Sequence, residues 1–154
     1  MFMVCFTDKD IVDMIFTHPR LSKLALLMHN SDFLPLLRKS DENVTVFAPT
    51  NSAFLNVSGM IDLNNNDTEM FQILSRHKIT GHGALTIDRI IRKFGTKGVN
   101  MTIDNFGSGY ITLYKLEDGN ITALEEKGFN KSRTIIERDI HASNGVIHVL
   151  DGFL

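Results

Sequence analysis

The sequence predicts a single domain of the α+β class, and three observations support this. Its 154 residues are the usual length of one domain. Apolar residues recur at helical spacing through the first 94 residues, interrupted by one strand-like segment at residues 43–48. From residue 99 onward, short segments with strand-like patterns follow one another, separated by turns that contain glycine. Helices followed by a run of strands are typical of α+β folds rather than of doubly wound sheets.

Three short helices are predicted before residue 40. We expect Thr7 or Asp8 to cap the first one, which ends near His18 and Pro19. A second helix and a third short helical piece follow, and their apolar residues are Leu21, Leu24, Ala25 and Met28, then Phe33 to Leu37.

Residues 43–54 predict a strand that turns directly into a helix. Apolar side chains alternate along the strand, and Pro49 ends it because proline has no N–H to donate to a neighbouring strand. Thr50 or Asn51 then caps a helix that packs Phe54 back onto the strand. We predict that this corner defines the fold through Thr45, Phe47, Pro49, Thr50 and Asn51.

The remaining elements are two helices and five strands. One helix opens at Asp67-Thr68, and the other runs from Thr86 to Phe94 and closes at Gly95. The five predicted strands are residues 99–104, 110–116, 119–124, 133–140 and 145–151.

The closing segment HASNGVIHVLDGFL contains the side chains of a hydrolase, since Ser143, His148 and Asp151 lie close together in sequence. A catalytic triad needs these groups within hydrogen-bonding reach, and the chain has no Gly-x-Ser-x-Gly motif. We interpret Asn144 and Gly145 as a tight turn that uses positive φ angles. His148 is then a buried strand residue that helps to define the fold. The hydrolase hypothesis requires convergence of the three side chains in a cleft.

Charge and composition argue against several other classes. The net charge of −2 comes from 16 basic and 18 acidic residues, without the basic excess of a nucleic-acid-binding protein. His77 and His82 are five positions apart, which is not the spacing of a helical zinc pair, so we expect no metal or cofactor. The lone Cys5 forms no intrachain disulfide. The apolar opening, residues 1–6, is too short to span a membrane.

Two segments resemble the signature blocks of the fasciclin-like domain family. VTVFAPTNSAF, residues 44–54, resembles the first block, and ERDIHASNGVIHVLD, residues 137–151, resembles the second. Between them, ILSRHKITGH places His77 where the family has histidine and Arg76 where tyrosine is usual. The resemblance covers essentially the whole chain and implies a β-sandwich or wedge with helices packed on one side.

The resemblance also implies a function, namely adhesion through a protein partner outside the cell or at its surface, without catalysis. In matrix proteins of this family, motifs of the form Glu-Pro-Asp-Ile-Met or Asn-Lys-Asp-Ile-Leu have been linked to integrins; here the segment is Glu137-Arg138-Asp139-Ile140-His141. We therefore expect Glu137, Asp139 and Ile140 to take part in partner binding, together with His77. The alternatives from the residues themselves are that Asp139 caps a turn, that Ile140 packs in the core and that His77 anchors a helix end.

Six Asn-x-Ser/Thr sequons suggest a secreted, glycosylated surface. We expect N-glycans at Asn56, Asn66, Asn100, Asn120 and Asn130, and leave out Asn43 because it precedes a strand that should be buried. The second functional hypothesis is a carbohydrate- or lipid-binding accessory domain, for which Tyr110 and Tyr114 on one strand face are candidates.

Overall fold

The computed structural model describes residues 9–29, 31, 33–38, 43–57, 67–79, 82–94, 101–104, 109–116, 120–125 and 132–154. Its helices are α1 (Ile11–Thr17), α2 (Ser22–His29), α3 (Phe33–Arg38), α4 (Asn51–Val57), α5 (Asp67–Arg76) and α6 (Ile87–Phe94). Its strands are β1 (Val44–Pro49), β2 (Lys78–Ile79), β3 (Met101–Asp104), β4 (Tyr110–Lys115), β5 (Ile121–Glu125), β6 (Arg133–Ala142) and β7 (Gly145–Leu150). The predicted α+β class is confirmed. The two-residue strand β2 was not predicted, because a segment that short carries no periodicity.

The described strands form one mixed sheet in the order β2-β1-β7-β6-β5-β4-β3. Strands β1 and β7 pair in parallel, and every other pairing is antiparallel. The two segments that resemble the family's signature blocks are thus neighbours at the middle of the sheet, although they lie about a hundred residues apart in sequence.

The central strands are buried on both faces, and each face contributes to a different core. Val44, Val46 and Ala48 of β1 pack with Ile147 and Val149 of β7 against helices α1 to α5. On the opposite face, Phe47 and Leu150 pack with residues of α6, β4 and β5. The alternation predicted for β1 is confirmed, and it separates two apolar clusters instead of separating core from solvent.

The first helix begins later than the sequence predicted. Its N-cap is Asp10, whose side chain accepts a hydrogen bond from the Asp13 N–H (2.8 Å). The prediction of Thr7 or Asp8 was wrong because Asp10 has the same capping chemistry and directly precedes Ile11, the first buried helical residue.

The turn at Asn144-Gly145 forms as predicted, but for a different physical reason. Neither residue has a positive φ; among the described residues, positive φ occurs at Asp139 (58°) and Gly83 (69°). Asn144 instead accepts from the Ile11 N–H (2.8 Å) and donates to the Leu37 carbonyl (2.9 Å), which ties α1 and α3 to the turn. Gly145 is required by close approach, since a Cβ there would lie 2.0 Å from the Val44 carbonyl oxygen.

Asn51 also links elements that are distant in sequence. Its side-chain oxygen accepts from the Lys23 N–H (2.8 Å) and so caps α2, and its amide nitrogen donates to the Ser22 hydroxyl (2.9 Å). The Thr50 carbonyl accepts from the Ala53 N–H (3.0 Å) in the first turn of α4, and the Thr50 N–H donates to the Leu150 carbonyl (3.0 Å). The corner after β1 therefore fixes α2, α4 and β7 relative to one another.

Candidate partner-binding surface

Strand β6 is irregular over the segment proposed to bind a partner. Its pairing with β7 shifts register between Ile135 and Glu137 and again between Glu137 and Ile140. Asp139 has a left-handed backbone conformation there, which is uncommon outside glycine but tolerated by Asp and Asn. Bulges of this kind redirect side chains, so neighbouring residues of the segment have different environments.

Glu137 presents its carboxylate at the surface, held by two side chains of the α1–α2 connection. Its Oε2 accepts from Arg20 Nη2 (2.9 Å) and lies 3.0 Å from His18 Nε2. The Arg20 N–H donates to His18 Nδ1 (3.1 Å), so the His18 proton is on Nε2 and points at Glu137. The Glu137 side chain keeps 36% of its surface exposed. The carboxylate is therefore oriented and accessible.

Asp139 has a different role, because its carboxylate caps a helix. Oδ1 of Asp139 accepts from the Ile87 N–H (2.8 Å) at the first residue of α6. Its backbone N–H donates to His148 Nδ1 (3.1 Å) on the adjacent strand. The interpretation of Asp139 as a capping residue is therefore supported by geometry, although it caps α6 and not its own turn.

Three side chains from three neighbouring strands hold the segment that leads into α6. Thr45 of β1 donates to the Gly83 carbonyl (2.8 Å) and accepts from the Leu85 N–H (2.8 Å). His148 of β7 donates from Nε2 to the Leu85 carbonyl (2.7 Å). With Asp139 of β6 on Ile87, the sheet satisfies four backbone groups of residues 83–87. The hydroxyl, the imidazole and the carboxylate therefore serve as hydrogen-bonding partners for the backbone of this segment.

His148 is a neutral, structural histidine. Its Nδ1 accepts from Asp139 and its Nε2 donates to Leu85, so both ring nitrogens are engaged with backbone. Burial lowers the pKa of His148 from its ordinary value, since the charged ring would lose hydration. Its ring also packs 5.4 Å from that of Phe47.

His77 is buried at the end of α5, at a distance in sequence from the β6 segment. Its Nδ1 donates to the Ile73 carbonyl (2.8 Å), and its Nε2 accepts from the Leu154 N–H (3.1 Å). Burial lowers the pKa of His77 to about 4, against the opposing effect of the Ile73 hydrogen bond. The ring thus anchors the end of α5 to the last residues of the chain. This agrees with the alternative interpretation of the sequence, in which His77 anchors a helix end.

The side chains of the hydrolase hypothesis do not converge. Ser143 lies exposed in the β6–β7 turn, with its N–H bonded to the Lys9 carbonyl. Asp151 accepts from the Thr134 N–H (2.9 Å) and so closes the end of the β6–β7 ladder. Because both nitrogens of His148 bond to other residues, neither a nucleophile–base nor a base–carboxylate pair forms among the three.

The remaining predicted residues fall into three groups. Ile140 is half-buried and packs against the helical core, while Arg138 and His141 beside it are exposed.

Tyr110 and Tyr114 lie on the same face of β4, and Tyr110 is 57% exposed. Among the sequons, Asn120 is exposed and Asn56 lies within α4, while Asn66, Asn100 and Asn130 are outside the described residues.

Asn43 was left out because the strand that follows it should be buried, and that strand is buried. Asn43 itself lies just before β1 and is exposed, because the strand becomes buried only from Val44 onward.

His18 and Arg20 were missed at the sequence level. They lie more than 115 positions from Glu137, and no local pattern connects them to it. Among the described residues, no cluster of three or more metal-ligating side chains occurs and no helix has the length and hydropathy of a membrane span.

Comparison with known proteins agrees with this architecture. The Fasciclin domain family model matches residues 19–154. Human Stabilin-1 is 34% identical over 123 residues, which is 79% of this chain and 4% of Stabilin-1. A fasciclin-like arabinogalactan protein of Arthroderma benhamiae is 28% identical over 94% of this chain and 34% of its own length. The chain thus spans only a small part of these relatives.

A solved structure has the same fold. It is a FAS1 domain pair from the insect cell adhesion molecule fasciclin I, and it matches with a TM-score of 0.76 at 18% identity, over 95% of this chain and 50% of that one. The family match covers both signature blocks and the strands between them. This chain belongs to the fasciclin domain family.

Proposed function

We propose that this domain is a non-catalytic adhesion module that acts outside the cell or at its surface and binds a protein partner through the segment 137–141. Membership of a family found in a cell adhesion molecule supports the general role. The partner is a cell-surface receptor or a matrix protein. A receptor of integrin type would bind a carboxylate of this segment through a divalent cation.

The observation that carries the proposal is the state of Glu137. Its carboxylate is partly exposed at the surface and oriented by Arg20 and His18, with the exposed side chains of Arg138 and His141 nearby in the segment. A carboxylate held in one orientation loses less entropy on binding than a freely rotating one. Since oxygen ligands suit Mg²⁺ and Ca²⁺, Glu137 is suited to a receptor-bound cation.

In this proposal Asp139 and Ile140 position the segment. The Asp139 carboxylate already holds the N-terminus of α6, and Ile140 packs against the core. His77 is left out of the surface, because its ring is buried and both its nitrogens are bonded inside the chain.

The test is attachment of cells to the immobilised domain, with and without EDTA, for three variants. Glu137→Gln keeps the size of the side chain and removes the charge, and we expect attachment to fall to the level seen with EDTA. Asp139→Asn keeps an oxygen for the Ile87 N–H and tolerates the left-handed conformation, so attachment should persist. Asp88→Asn removes an exposed carboxylate on α6 and serves as the matched control.

Two results would contradict the proposal. Loss of attachment in Asp139→Asn with retention in Glu137→Gln would make Asp139 the contacting carboxylate. Attachment unchanged in both, with the fold verified by circular dichroism, would move the binding surface away from this segment.

A second candidate is carbohydrate or lipid binding on the outward face of β4. It is favoured by Tyr110, which is 57% exposed and shares that face with Tyr114, an arrangement suited to stacking on a sugar ring. Binding of a glycan or vesicle that is lost in Tyr110→Ala, while Glu137→Gln retains it, would support this candidate.

A further inference from the structure

The sheet formed by β4, β5 and the start of β6 has one buried face and one outward face. Ile111, Leu113, Ile121, Ala123 and Ile135 point into the core. On the other face Tyr114, Thr122 and Thr134 form one row across the three strands, since Tyr114 pairs with Thr122 and Thr122 with Thr134. Tyr114 and Thr134 are partly exposed, and Thr122 between them is buried. Charged side chains are absent from this row.

Two large apolar side chains, Leu116 and Ile136, are exposed beyond this row. A hydrogen bond from the Leu116 N–H to the Asn120 carbonyl (2.8 Å) extends the β4–β5 ladder by one pair, so Leu116 lies opposite Asn120. On β6, Ile136 lies two residues beyond Thr134, the partner of Thr122. Leu116 is 44% exposed and Ile136 is 43% exposed, and both are among the large apolar side chains at the surface.

Asn120 itself is exposed and begins the sequon Asn120-Ile121-Thr122. An asparagine that accepts a glycan opposite an exposed apolar side chain provides a covering group for it. A sugar has apolar C–H faces that pack on aliphatic and aromatic side chains, and its hydroxyls can bond to the neighbouring Thr and Tyr side chains.

We propose that Asn120 is an N-glycosylation site whose first sugars pack over Leu116, Ile136 and Tyr114, so that the glycan completes the outward face of the sheet. Asn43 is also exposed, but it directly precedes β1, which β7 and β6 separate from β5 in the sheet, so a glycan there would lie away from this row. Of the residues in this apolar patch, only Ile136 adjoins the Glu137 segment. The glycan proposal shares only the extracellular setting with the proposed function, and its failure would not contradict that function.

The experiment is secretion of the chain from eukaryotic cells, followed by mass spectrometry of the peptide that contains Asn120. Occupancy of Asn120 is expected, and an unoccupied Asn120 would overturn the proposal. Thermal unfolding is then compared before and after peptide N-glycosidase, which leaves Asp in place of Asn. We expect Tm to fall by about 2–4 °C and binding of an apolar dye to rise when the glycan is removed.

Matched variants separate the packing of the glycan from a general effect of glycosylation. Asn120→Asp made without a glycan should reproduce the enzyme-treated protein, whereas Asn43→Gln should leave Tm unchanged. In Leu116→Ser, the Tm difference between glycosylated and treated protein should shrink by at least half. An occupied Asn120 whose removal changes neither Tm nor dye binding would overturn the packing part of the proposal.

Discussion

At the scale of single residues, the fold depends on two buried histidines with opposite tautomers. His77 carries its proton on Nδ1 and accepts at Nε2, whereas His148 carries it on Nε2 and accepts at Nδ1. In each case the acceptor nitrogen meets a backbone N–H and the protonated nitrogen meets a carbonyl. A second proton on either ring would therefore face an N–H group.

This arrangement predicts acid sensitivity. The pKa of His77 is about 4 in the folded protein and about 6.5 when unfolded, so the unfolded state binds more protons between these values. The free energy of unfolding should therefore fall as the pH is lowered from 6.5 to 4, by about 3 kcal/mol from His77, with a further loss from His148. Urea unfolding at pH 7, 5.5 and 4 measures this. His77→Gln should reduce the slope, and an unchanged slope would contradict the assignment.

A second residue-scale prediction concerns Asp139. Asp139→Ala leaves the Ile87 N–H without its acceptor, while Thr86 still accepts from the Arg89 N–H, and it puts a Cβ residue without a compensating side chain at φ 58°. The loss of stability should therefore be about 1–3 kcal/mol. Asp139→Asn should stay within about 0.5 kcal/mol of the parent, because Asn caps helices and tolerates this conformation. Equal losses in the two variants by urea unfolding would show that the charge, not the cap, matters.

At the scale of elements, strand β6 connects the two halves of the sheet. It pairs with β7 along most of its length but with β5 only near Thr134 and Arg133. The bulges beyond that point turn Glu137 toward the helical side, where Arg20 and His18 meet it, and Asp139 toward α6. The irregularity of the strand therefore positions the proposed binding segment.

Substitutions of two glycines compare the cost of blocking a close backbone approach with the cost of a left-handed backbone conformation. Gly145→Ala would place a methyl group 2.0 Å from the Val44 carbonyl oxygen, so β1 and β7 must separate. We expect a loss of at least about 3 kcal/mol or failure to fold. Gly83→Ala has no atom within 4 Å of the new Cβ and costs only the left-handed conformation, about 1–2 kcal/mol. Thermal unfolding of both variants measures the difference, and the reverse order would contradict it.

At the scale of the whole molecule, the sheet separates two apolar clusters that share its central strands. Phe153 belongs to the helical cluster, and Leu154, the next residue, belongs to the opposite one. Phe153 packs edge-on against Phe54 (4.8 Å) and His77 (5.6 Å), so the closing residues connect α4, α5 and both cores. We therefore expect the clusters to unfold together.

The corresponding prediction uses Phe153→Ala, which should lower the free energy of unfolding by about 3–5 kcal/mol. The protein has no Trp and two Tyr, both on β4, so tyrosine fluorescence reports the half of the sheet opposite the helical core. Circular dichroism at 222 nm reports the helices. The two signals should share one midpoint in the parent and in the variant. A shift of the helical signal alone would show that the clusters are independent.

The sequence by itself determined the fold class and nearly every helix and strand. These follow from periodicity, from Pro49 and from capping residues, all of which act within a few positions. It also indicated that His148 is structural, since the residue alternates with apolar neighbours on a strand.

Only the tertiary structure decided which polar residue does what. Glu137 meets Arg20 and His18, Asp139 caps α6, and Asn144 joins α1 to α3, each across a separation of 50 residues or more. No local pattern encodes such pairs, because register shifts in β6 and the parallel pairing of β1 with β7 bring them together. The Asn-Gly turn illustrates the limit: the residues were predicted correctly, but close packing and hydrogen bonding require them, not positive φ.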